Sequence, residues 1–300
     1  MKAAGLVLLA VSVSPHSILA AAQRTFDTPD AAASALLAAT KSRTADEMAA
    51  VLGEEMRDQF QTGDPVRGDL DRALFMQAAQ DSMKLQSDGS PDRVILYVGE
   101  DDWPFPAPIV KAGGTWQFNG KEGKQEILDR RIGRNEMHAV ETALGYVDAQ
   151  LEYVKTDHDG DGILEFAQKL LSTPGMHDGL YWKDDSNPSP LGPLFVGGAK
   201  ASPTAPAQTR SRPHFGYQFR ILTAQGANAI GGTHEFLIAG HLLGGFGLIA
   251  SPLRYGVTGI QTYVVNQLGV VYSKDLGADT ATAAAAITAF DPDLTWKKLQ

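Results

Sequence analysis

The stretch EGKQEILDRRIGRNEMHAVETALGYVDAQLEYVK, residues 122–155, decides how the rest of the chain is read. It contains no proline, and beyond Gly123 at its start the glycines Gly133 and Gly145 stand alone. Met137, Val140, Leu144, Val147, Leu151 and Val154 follow at steps of three and four, the period of one helical face. Glu136, Glu141, Asp148 and Gln150 fall between them and predict a polar opposite side. At about 1.5 Å per residue the helix would be roughly 50 Å long. The apolar run is short for a coiled-coil seam, so it predicts a helix laid on a sheet within one domain.

Upstream, residues 23–119 are expected to form a separate α+β domain. Thr28-Pro29-Asp30 combines a capping hydroxyl, a proline that needs no donor at the first helical position and an acid suited to the positive helix end. Thr44 with Glu47 three residues on has capping-box spacing, and Gly53 is a stop. A third helix is predicted over Leu70–Leu85, with Leu74, Phe75, Ala78, Ser82 and Leu85 on one face. Arg93–Val98 reads as a β-branched strand, and Pro108–Lys111 with Thr115–Phe118 as a hairpin turning at Gly113-Gly114. Helices followed by a short antiparallel sheet predict a small unit in which a curved sheet wraps a helix layer.

Downstream, residues 120–300 are expected to join the long helix to an antiparallel meander. Residues 187–213 form a proline- and glycine-rich loop. Strands are predicted at Tyr217–Thr223, Glu235–Ala239, Gly245–Ala250, Gln261–Asn266 and Val270–Tyr272, with a hairpin tip at Asn266–Gly269. A last helix, Thr280–Phe290, precedes an unstructured end at Trp296.

The N-terminus sets the compartment. Met1-Lys2, an apolar run Ala3–Val13 and the small residues Ala20-Ala21-Ala22 have the pattern of a cleaved signal peptide, residues 1–22. The run is shorter than the roughly 20 residues that span a bilayer. No later stretch is long enough either, so no membrane span is expected after cleavage, and the mature chain is expected in the periplasm or outside the cell. The chain has no cysteine, so its fold rests on core packing without disulfides. A net charge of -9 disfavours nucleic acid and anionic headgroups as partners.

Several runs together resemble a known family: Asp102-Trp103-Pro104-Phe105-Pro106, Gly114–Phe118, Glu126–Glu136 with its Arg-Arg-Ile-Gly-Arg-Asn-Glu core, Tyr146–Gln150, Asp159–Gly162, Gly179–Trp182, Pro190–Leu194 and Phe219–Gly226. They resemble the bacterial family called domain of unknown function 2950, over nearly all of the mature chain. The resemblance implies an exported envelope protein and leaves its activity unassigned. Asn135-Glu136, Ala149-Gln150 and Tyr153 on one helix, followed by Gly256–Gly259 and Gly269–Val271, also look like the soluble part of pilin-like proteins. The charged segment Arg130–Arg134 departs from the apolar stretch that pilins carry there.

Asp157-His158-Asp159-Gly160-Asp161-Gly162-Ile163-Leu164-Glu165 is the candidate for chemistry. Calcium takes hard oxygen ligands, and Asp at loop positions one, three and five with Gly at six curls carboxylates inward. Glu165 falls at position nine, where it ligates directly or through water. Gln168 stands at position twelve in place of the bidentate Glu, which weakens the site. The alternative is a metal-free acidic turn between two elements. His138, His214, His234 and His241 read as surface or strand-edge residues, and no zinc spacing or nucleophile elbow is present. Trp103, Trp116, Tyr181 and Trp182 form either a ledge for a peptide or sugar ring or a plug between the two domains. Arg130, Arg131 and Arg134 pair with Asp101 and Asp102 or grip an anionic ligand.

These observations predict an α+β envelope protein that binds or scaffolds an envelope protein or peptide without catalysis. The alternatives are an extracytoplasmic hydrolase with a site at the inter-domain seam, or a pilus- or secretion-associated subunit.

Overall fold

A computed structural model describes residues 22–60, 65–184, 186–192 and 215–299, with the side chains of 65–68 left aside. Residues 1–21 of the expected signal peptide and 193–213 of the expected loop lie outside the described residues. The described chain divides into two units, the first ending at Ile127 and the second beginning at Leu128.

In the first unit Thr28 Oγ1 accepts the Ala31 N–H at 3.1 Å and opens α1, Pro29–Ser42. Thr44 caps α2, Ala45–Leu52, by accepting from Glu47 N at 3.3 Å, and Gly53 ends it with φ +102°. The third helix, α3, is Pro65–Asp81, and Leu85 is not in it. Met83–Ser87 is a strand, β1, paired antiparallel with β2, Arg93–Val98, so that Leu85 faces Leu96. Met, Lys, Leu and Gln are all good helix formers, and sheet pairing overrides that propensity here. Gly99 N–H reaches both Ala78 O and Ser82 O at 3.0 Å and holds the helix end beside the sheet. Leu70 and Leu74 are exposed, whereas Phe75 and Ala78 pack on the core. A short β3, Trp103–Pro104, also pairs with β2; β4, Ile109–Ala112, and β5, Thr115–Phe118, complete the antiparallel sheet. Leu36, Leu52, Met56, Leu96, Ile109 and Phe118 fill the core between helices and sheet.

The long helix is unbroken: α4 runs Gly120–Tyr153. Asn119 Oδ1 accepts from Glu122 N at 3.1 Å, while Asn119 Nδ2 donates back to Glu122 Oε2 at 3.1 Å, a reciprocal cap. The Arg93 guanidinium bonds the same carboxylate and holds its pKa below the ordinary value. Gly120 allows this start, since a Cβ there would lie 2.2 Å from Leu52 O.

The face that α4 buries differs from the predicted one. Met137, Leu144 and Leu151 are exposed by 54%, 41% and 45%. Ala139, Ala143, Tyr146, Gln150 and Tyr153 are the buried stripe, with Val147 beside them. Alanines let the helix backbone approach the sheet, so large aliphatics mark the wrong side. Gln150, expected in solvent, is fully buried. Its amide is satisfied: Nε2 donates to Ala167 O at 2.8 Å and Tyr146 Oη at 3.0 Å, and Oε1 accepts from Ala167 N at 2.8 Å.

The second sheet contains β6, Tyr217–Leu222, and four later strands in antiparallel order. After β6 come two small hairpins: β7, Ala224–Gln225, with β8, His234–Glu235; and β9, Leu237–Ile238, with β10, His241–Leu242. The predicted strand Glu235–Ala239 is thus split, since Ala239 and Gly240 turn with positive φ. β11 is Gly247–Pro252, β12 Gln261–Asn266, β13 Tyr272–Asp275 and β14 Lys297–Lys298. The chain end is therefore an edge strand, where the sequence predicted no structure. The final helix, α5, is Thr280–Ala286, shorter than expected. Side chains alternate across the sheet. Leu248, Ala250, Tyr263 and Val265 join the core with α4, and Ile249 and Val264 join a second core with Phe290, Leu276, Ile287 and Trp296. Arg220 from β6 closes the end of α5, donating from Nη2 to Ala284 O at 2.9 Å and Ile287 O at 2.6 Å.

Candidate functional site

The acidic loop begins four residues after α4. Asp157 folds back into it: Oδ1 accepts from Gly160 N at 2.7 Å and Asp159 N at 3.3 Å, and Oδ2 from Gly162 N at 2.9 Å. Those backbone donors, Gly162 first, hold the Asp157 carboxyl below the ordinary aspartate pKa. Asp161 Oδ1 accepts from Ile163 N at 2.8 Å. Gly160 and Gly162 have φ of +80° and +85°, which only glycine adopts without strain.

Of the five predicted metal residues, three converge. One carboxylate oxygen each from Asp157, Asp159 and Asp161 lies within 4.8 Å of the others. Glu165 and Gln168 are outside that group. Glu165 Oε2 accepts from Leu242 N at 2.9 Å and Gln168 Nε2 at 3.1 Å, and Gln168 Nε2 also donates to Gly240 O at 2.7 Å. The first half of the loop thus fits a hard cation, and the second half ties the loop to β10. Three carboxylates supply part of the six to eight oxygens that calcium takes, leaving the rest to backbone and water.

Sequence reasoning missed His241 as a neighbour. Its Nδ1 lies 3.5 Å from Asp161 Oδ2 and 3.5 Å from Glu165 Oε1, without a hydrogen bond. The residue reaches the loop through the bridge between Phe166 and Leu242, a pairing that no local spacing announces.

The aromatic residues divide between the two units. Trp103 is 45% exposed on β3 and meets Phe105 edge-on at 6.5 Å. Trp116 is half-buried on β5, its backbone paired with Phe26 and its ring 5.8 Å from Lys111 Nζ. Both belong to the first unit. In the second, Trp182 is only 7% exposed, its indole N–H given to Asn187 O at 2.6 Å and its ring stacked on His177. Tyr181 packs beside it against the core. Trp182 is therefore a core residue, not part of a ledge. Arg130, Arg131 and Arg134 lie on α4, the last two exposed. Asp102, offered as a partner for them, pairs with Lys84 at 2.5 Å.

An α+β chain of two units, with an acidic loop directly behind its longest helix, is the class these features define. The chain belongs to the family described as "Protein of unknown function (DUF2950)", whose profile matches residues 23–299. No curated protein and no solved structure matches it. The family resemblance is thereby shown, and the likeness to pilins gains no support. Among the described residues no helix is long and apolar enough to cross a membrane.

Proposed function

We propose that the chain is an exported, non-catalytic binding protein whose Asp157–Asp161 loop takes a calcium ion as a brace. The convergence of three carboxylates within 4.8 Å is the observation that carries the calcium reading. Like charges that close repel by about 1 kcal/mol per pair even in water, and a divalent cation turns the repulsion into attraction. The brace acts where α4 hands over to the irregular segment that supplies Phe166, Ala167, Leu170, Leu180 and Trp182 to the larger core. With three carboxylates and no bidentate Glu, the expected Kd is about 10⁻⁴ to 10⁻³ M, the range of extracellular modules. Such a site fills outside the cell, where calcium is millimolar, in keeping with the signal-like pattern of residues 1–22.

The binding reading rests on the loop and not on the histidines: His138 faces Glu141 on its own helix, His158 and His234 face backbone carbonyls, His177 stands 3.8 Å from Asp184, and His241 stands 3.5 Å from Asp161 and Glu165 of the loop itself. The test is a thermal melt of the mature chain with chelator and with millimolar calcium. Calcium raises the midpoint by about 2–5 °C. Asp161→Asn abolishes that rise, yet in chelator melts no lower than the parent because one repulsion is gone. Identical parent midpoints in the two buffers would remove calcium from the reading.

A further inference from the structure

The face of the second sheet that looks toward α5 holds a cavity of about 390 Å³. That is the lower end of the roughly 300–1,000 Å³ typical of small-molecule sites. Val264 of β12 is buried, and Leu276, Ile287 and Trp296 make apolar walls. Two opposite charges line the same space, Lys274 of β13 and Asp291. Neither is in an ion pair among the described residues, although the charge of Lys274 adds to the Thr295 hydrogen bonds that hold the Asp293 carboxyl below its ordinary pKa. Lys274 Nζ donates to Thr295 Oγ1 at 2.6 Å and stands 5.8 Å from the Trp296 ring. An ammonium has three donors, so two remain. Asp291 Oδ1 accepts from Asn228 N at 2.7 Å, leaving further acceptor sites on both oxygens.

We propose that this cavity binds a small zwitterion, an α-amino acid with an apolar side chain, its carboxylate on Lys274 and its ammonium on Asp291. A plain carboxylate would face the charge of Asp291 and a plain amine that of Lys274. A molecule carrying both charges and an apolar group satisfies every wall.

The inference deepens the binding reading above and rests on it, but it makes no use of the acidic loop. The test is calorimetric titration of the mature chain with L-leucine, with leucinamide, which lacks the carboxylate, and with 4-methylpentanoate, which lacks the ammonium. Leucine binds at least tenfold tighter than either analogue. Lys274→Met and Asp291→Asn each weaken leucine at least tenfold while melting within a few degrees of the parent, and Ile287→Trp, which fills the cavity, abolishes binding. No heat with leucine, equal affinity for 4-methylpentanoate, or leucine binding untouched by the three variants would overturn the proposal. Each titration is repeated in chelator. Leucine binding that survives there alongside a failed calcium melt sinks the calcium reading alone, and a calcium effect without leucine binding sinks this inference alone.

Discussion

Gln150 is a polar side chain whose position in the core follows from what it bonds. A buried primary amide is costly unless its donor and acceptor are both met, and here the backbone of Ala167 meets them together. The helix thereby clamps the segment that follows the acidic loop. Replacing Gln150 by Leu keeps the volume and orphans the Ala167 N–H and C=O, so it should cost about 1–3 kcal/mol. Urea unfolding measures that loss; an unchanged midpoint would mean that the clamp is replaceable by apolar packing. Asn135 and Glu136 work in the same way further up the helix. Asn135 Nδ2 donates to Thr258 O at 2.9 Å, and Glu136 Oε1 accepts from Ile260 N at 2.8 Å and Gln261 N at 3.0 Å. The Asn-Glu pair that ends the most specific family run is therefore a fastener for the start of β12.

At the scale of elements, α4 separates what its sequence told from what it hid. Its existence and length were legible, because a proline-free stretch with a three-four period has few other ways to bury itself. Its inward face was not. Alanine and glutamine carry little hydrophobic weight, yet Ala139, Ala143 and Gln150 make the close contact, while Leu144 and Leu151 remain outside. The same limit explains Leu85, whose strand is defined by a partner, Leu96, and not by local propensity. The acidic loop was half legible: the Asp-x-Asp-x-Asp-Gly spacing fixes a local curl, whereas His241 arrives through a tertiary bridge. Ala143→Leu should overpack the helix–sheet contact and cost about 1–3 kcal/mol, as such insertions do. Leu144→Ala, one position on, should change stability by about 0.5 kcal/mol or less. Denaturant midpoints for the pair decide it, and the opposite order would restore the face read from hydrophobicity.

Taken whole, the chain is two units, each closing a core of its own, without a disulfide among 300 residues. The second unit carries both proposed ligand positions, the acidic loop after α4 and the cavity under α5, on segments that pack against different faces of one sheet. The proposed binding role places the calcium brace and the ligand cavity on opposite faces of that sheet. Amide chemical shifts of the isotope-labelled mature chain, recorded in chelator and then through a calcium titration, test that account most directly. Saturable shifts at a Kd of about 10⁻⁴ to 10⁻³ M, largest at Gly160, Gly162 and Ile163, are the predicted result. A spectrum that does not move at those amides up to millimolar calcium would contradict it.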